Sequence, residues 1–81
     1  MKKLNDYQKK QVKLVLADKL GFDSEKLQED LQLKKDLGMD VLDAMDIILE
    51  LEMIFNINIP DVELEKAVIV SDIYDILLNC W

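Results

Sequence analysis

With 81 residues and a formal net charge of −7, the chain can hold a single domain, spanning 1–81, around one small core, which excludes a large enclosed active site. Apolar residues make up 51% but aromatics only 6%, with two glycines and one proline; Leu, Ile, Val and Met must therefore build the core, and packed helices suit that composition better than a turn-rich β-sandwich. One cysteine, Cys80, and no histidine exclude an internal disulfide, a thiolate metal site and histidine-based or zinc catalysis.

The first predicted helix runs from about Leu4 to Leu20. Val12, Val15, Leu16 and Leu20 share one face, Lys9, Lys10, Lys13 and Lys19 lie around the rest, and Gly21 is its stop. From Phe22 to Met39 no helical period persists, yet Phe22, Leu27, Leu31, Leu33 and Leu37 recur, so this connection is expected to lie on the core. Ser24 before Glu25 reads as the cap of a short turn, and Gly38 as a sharp bend before the next helix.

That next helix is the longest apolar element, from Asp40 to Asn56. Ala44, Ile47, Ile48, Leu51 and Phe55 follow helical spacing, and Val41, Met45, Leu49 and Met53 form a second track beside them. One helix turns only one broad face to a core, so the first track is assigned to burial and the second, edged by Asp43, Asp46, Glu50 and Glu52, to solvent or a partner. Ile57 and Ile59 then dip inward from an extended connector. After Pro60 a short helix, Asp61 to Lys66, is expected to bury Val62 and Leu64, and its few hydrogen bonds make it a mobile piece. Val68, Ile69 and Val70 form a β-branched link. Ser71 reads as the cap of a last helix with Ile73, Ile76 and Leu77 inward, Tyr74 at the edge and Trp81 at the fraying end. Leu16, Leu51, Phe55, Ile59 and Ile76 should meet in one core.

The triplet Asp40-Val41-Leu42, preceded by Asp36-Leu37-Gly38 and followed by Asp43, resembles the Asp-Ser-Leu signature of acyl carrier proteins and peptidyl carrier domains. Ile59-Pro60-Asp61 and Ser71-Asp72-Ile73 also fall where that family has its later turn and last helix. The resemblance implies an all-α, small four-helix bundle with three longer helices and one short one. It implies a non-enzymatic role, presenting an acyl or aminoacyl intermediate on a 4′-phosphopantetheine arm. The arm is joined to the serine at the position of Val41, and valine has no hydroxyl to receive it; no cofactor is expected on this chain as written. By position, Asp40, Leu42, Asp43, Met45, Asp46, Leu49 and Glu52 would be read by basic patches of carrier-reading enzymes: phosphopantetheinyl transferase, acyl transferases and synthases. The family's short third helix shifts to admit an acyl chain. Met53 and Ile54 depart from the pattern, standing where many relatives continue the acidic face.

Charge supports the same partners. Residues 1–35 carry nine lysines against six acids, and residues 36–81 one lysine against eleven acids; the second part repels nucleic acid and anionic lipid and suits basic proteins. The paired carboxylates Asp36 with Asp40 and Asp43 with Asp46 are expected on an exposed surface without a pocket, which argues against catalysis, and their spacing fails the calcium-loop pattern. The amino terminus turns polar too soon for a signal peptide, and no apolar run reaches membrane-spanning length. A cytoplasmic or organelle-matrix monomer is expected. Serine to valine needs more than one base change, which, with the intact flanking motif, favours a replaced or recently lost serine in a carrier. The rival readings are a tether-free adaptor or regulator using the acidic second helix, and an unrelated bundle that dimerises through Met45, Leu49 and Met53.

Overall fold

Four helices, all-α as expected, emerge from local signals that the backbone uses almost where they were read. The computed structural model describes residues 3–80; Trp81 lies outside the described residues. Helix α1 spans Asp6–Leu20, α2 Val41–Phe55, α3 Asp61–Glu65 and α4 Val70–Cys80. α1 starts at a reciprocal cap, Asn5 Oδ1 accepting from the Gln8 backbone N–H at 2.8 Å and Gln8 Oε1 from that of Asn5 at 2.9 Å. It ends at Gly21, whose φ of 78° is left-handed and whose N–H reaches the Ala17 carbonyl.

α1 packs most extensively on α2, and α3 and α4 complete the bundle. Val12, Leu16, Leu33, Ile47, Leu51, Val70, Ile73 and Leu77 are almost wholly buried at its centre. Leu16, Leu51, Ile59 and Ile76 are buried in one core cluster, as expected, but Phe55 is only partly buried against it. It is the last residue of α2 and packs at the rim. Burial of the first α2 track and exposure of the second follow the two-track reading.

The connection between α1 and α2 is held down by backbone pairing as well as by leucines. Leu33 N–H donates to Val68 O at 2.8 Å, Val70 N–H to Leu31 O at 3.0 Å and Ser71 N–H to Glu29 O at 2.9 Å, and Gln32 and Ile69 form an isolated antiparallel bridge. The β-branched link thus serves as half of a bridge. Leu27, Leu33 and Leu37 are buried and Leu31 partly so, whereas Phe22, expected on the core, is exposed; it directly follows the left-handed Gly21, outside the leucine cluster.

Both serine caps are corrected. The turn at Ser24–Lys26 is capped by Asp23, whose side chain accepts from Glu25 N–H at 3.0 Å. Ser71 lies inside α4, and it is Asp72 Oδ2 that reaches back to Val68 N–H at 2.8 Å and Ile69 N–H at 3.0 Å. In each case the free backbone N–H is taken by a carboxylate next to the serine, a charged acceptor that makes a strong bond. Leu64 is buried as expected, but Val62 is exposed: in a five-residue helix only one side meets the bundle. Tyr74 is buried, not at the edge, with Lys9 Nζ 5.6 Å from its ring centroid and paired to Glu29 at 3.7 Å. Among the described residues no helix is long and apolar enough to cross a membrane.

Candidate functional site

The start of α2 is built by the loop that delivers it. Residues 32–38 close on themselves: Gln32 N–H donates to Asp36 Oδ2 at 2.7 Å, Asp36 and Leu37 N–H to Gln32 O and Gly38 N–H to Lys34 O. Gly38, at φ 69°, turns the chain with the left-handed geometry that a side chain disfavours. Met39 N–H then bonds Leu33 O at 2.9 Å, and the Met39 side chain is buried. The chain that delivers position 40 is therefore anchored by the buried side chains of Leu33, Leu37 and Met39, none more than 6% exposed.

Asp40 is the helix cap. Its Oδ1 accepts from Asp43 N–H at 2.8 Å, and Asp43 Oδ2 accepts from Asp40 N–H at 3.2 Å. Two of the acids assigned to partner recognition thus also fix the helix start, where negative charge complements the positive end of the dipole. Val41 is the first helical residue and is 71% exposed, as is Leu42; Met45, Leu49 and Met53 extend the exposed row along the helix, with Asp46 also exposed and Asp43 half-buried. Asp40, Val41, Leu42, Asp43, Met45, Asp46 and Leu49 are brought together on this end and side of α2. Glu52 is set apart by its hydrogen bond. It is half-buried, and its Oε2 accepts from Ile59 N–H at 2.8 Å.

Beside position 41 a mainly apolar cleft of about 130 Å³ opens between α2 and α3, lined by Met39, Val41, Ala44, Met45, Ile48 and Leu64, with Lys34, Asp40, Asp61 and Glu65 at its edge. Met39, Lys34 and Leu64 were not singled out as site residues. Of these, Met39 carried a usable signal, an apolar side chain between a turn glycine and a helix cap, a place where burial anchors the entry of the chain.

The chemistry at position 41 is limited by its atoms. A phosphodiester needs a side-chain oxygen, and the Val41 side chain has none. The residues present therefore do not fit covalent attachment of a phosphorylated arm at this helix start, although the backbone around it is shaped as a presented, solvent-facing position. The model of a family described as "phosphopantetheine attachment site" matches residues 10–77, a span that takes in most of α1, all of α2 and α3 and most of α4.

Proposed function

Since the chain belongs to the phosphopantetheine-attachment family of carrier domains, we propose that it is an acyl-carrier-type module. Its α2 surface is read by basic carrier-reading enzymes of fatty-acid, polyketide or related synthesis, and only the residue at position 41 withholds the arm. The observation that carries this reading is the intact presentation of that position: first in α2, 71% exposed, and bracketed by the reciprocal Asp40–Asp43 cap. Asp40, Leu42, Asp43, Met45, Asp46 and Leu49 are the partner-reading residues. Glu52 joins them through whatever part of its carboxylate Ile59 leaves accessible. The acidic surface disfavours nucleic acid and anionic membranes, and the domain acts as a cytoplasmic monomer without catalysis of its own.

A second reading is favoured by the apolar far end of the exposed row, Met53 at 79% and Ile54 at 41% exposure: a tether-free adaptor that occupies carrier-reading partners through α2 alone. Restoring the hydroxyl separates the two. Val41→Ser, supplied with coenzyme A and a broad-specificity phosphopantetheinyl transferase, is expected to gain the mass of one phosphopantetheine while the unaltered chain gains none. If the serine variant stays unmodified beside an authentic carrier that is modified, the adaptor reading replaces this one. Modification of the unaltered chain at Ser24 or Ser71 would overturn the placement of the site.

A further inference from the structure

The acidic part of the chain is interrupted by one pair of opposite sign, beside position 41. Lys34 and Lys35 are the only cations between Lys26 and Lys66, and both are exposed. Lys34 stands at the edge of the cleft that Val41 also lines, where Asp40, Asp61 and Glu65 are the other charged residues. Neither lysine is neutralised at close range. The ion pair found among the described residues joins Lys9 to Glu29 at 3.7 Å, and the nearest acids in the chain are turned to backbone groups. Asp36 Oδ2 accepts from Gln32 N–H at 2.7 Å, and Asp40 Oδ1 from Asp43 N–H at 2.8 Å.

The loop holds this pair in a fixed place. Gly38 N–H donates to Lys34 O at 3.1 Å, and the N–H groups of Asp36 and Leu37 both reach Gln32 O. Leu33 and Leu37, on either side of the lysines, are buried, and Met39 N–H ties the loop to its own start through Leu33 O at 2.9 Å. A backbone already ordered in this way loses little further freedom when a partner docks. Anything that approaches the start of α2 therefore meets two unpaired ammonium groups at a set position.

Cations placed here work against the partner that the rest of the surface invites. The exposed row of α2, with Asp46 among it, suits a basic patch. The same patch continued over residues 34 and 35 would set like charges against each other, which slows association and weakens binding. A partner complementary over the whole footprint has to change sign at this loop. A repulsive element of this kind is how a surface discriminates among ligands that share its attractive contacts.

We propose that Lys34 and Lys35 are specificity-determining residues, which select a partner whose basic patch over α2 is bordered by a carboxylate facing this loop, and disfavour partners that are basic throughout. The proposal rests on the carrier reading for the partner's being a carrier-reading enzyme; the positive spot at 34–35 belongs to the isolated chain.

Two measurements test it. On the isolated protein, relaxation of amide protons by an anionic nitroxide, set against a neutral one, reports the local potential. The anionic probe should be relatively enriched at residues 34–38 over residues 42–53, and Lys34→Gln combined with Lys35→Gln should abolish the difference. In the second, Val41→Ser is mixed with a phosphopantetheinyl transferase whose carrier-facing surface is basic. Adding Lys34→Glu and Lys35→Glu should speed association about tenfold at low salt, the gain shrinking as salt is raised. Each Lys or Arg of the transferase patch is then changed to Glu in turn, and one of these variants should reverse the order, associating faster with Val41→Ser alone than with the doubly reversed chain. An even nitroxide effect across both regions, or no reversal with any transferase variant, overturns the proposal. Failure of the carrier reading gives a different result: Val41→Ser stays unmodified and associates with no form of the transferase, and the proposal falls with it.

Discussion

Two rows of apolar side chains run along α2. Ile47, Ile48 and Leu51 on one side are at most 4% exposed, whereas Val41, Met45, Leu49 and Met53 on the other range from 49% to 79%. Hydrophobicity does not separate them. Geometry does: α1 and α3 cover one side of the helix, and among the described residues the other row is left exposed. The exposed row shares its surface with acids that differ in turn. Asp40 and Asp43 are engaged in the cap and Glu52 in the Ile59 bond, while Asp46 is exposed. The outer side of α2 is thus a surface whose anchoring acids lie at its ends and whose accessible charge lies between them.

The largest expected effect tests the difference between the rows directly. Leu51→Ala should cost about 2–5 kcal/mol of stability, a lost side chain plus the cavity it leaves, and Leu49→Ala, two residues before it on the outer row, should stay within about 0.5 kcal/mol. Denaturant titration of the two variants measures both. Similar losses would break the division of α2 into a packed and a presented side.

A smaller effect sharpens the ranking of the acids. Asp46→Lys should leave the denaturation midpoint unchanged, yet slow association of the Val41→Ser variant with a basic phosphopantetheinyl transferase roughly tenfold at low salt, the difference shrinking as salt is raised. Asp43→Lys is a less clean probe, because it also removes half of the reciprocal cap. Stopped-flow association at two salt concentrations is the measurement, and a salt-independent rate equal to that of the parent would remove Asp46 from the recognition surface.

The smallest effect at neutral pH concerns buried polarity away from α2. The Tyr74 hydroxyl is buried without a protein hydrogen-bond partner, and burial, followed by the Glu29 carboxylate, pushes it up to about 12 from 10. A raised value means that the folded state holds the proton more firmly. Below pH 10 both states are protonated and nothing is lost; between 10 and about 12 the unfolded chain ionises first, so stability falls as pH rises. Tyr74→Phe removes no paired donor and should equal or exceed the parent at pH 7, with its advantage growing through that alkaline window. Thermal melts across the range check it, and parallel curves for the two proteins would contradict it.

Much of this arrangement was legible in residue order alone. Apolar spacing located α1 and α2 to within two residues, Gly21 and Asn56 marked their ends, and Asp40 announced the start of α2, because period and capping are properties of neighbours along the chain. The errors share a cause. Ser24 and Ser71 looked like caps, but it is the neighbouring carboxylates of Asp23 and Asp72 that accept from the free N–H groups of Glu25 and of Val68 and Ile69; Val62 and Leu64 were equally apolar, but only one side of α3 touches the bundle; Phe55 fits the inward track, yet the helix ends there. Glu52 is the clearest case. Its place in an acidic row is written in the sequence, while its bond to Ile59, seven residues on, exists only because the chain reverses at Asn56, with φ 53°, and carries the connector back along α2. Which side chains repeat on one face is decided by the geometry of a single helix. Which face is covered, which carboxylate closes on which distant N–H, and that a cleft stands beside position 41 depend on how separate elements meet, and only the tertiary structure decided them.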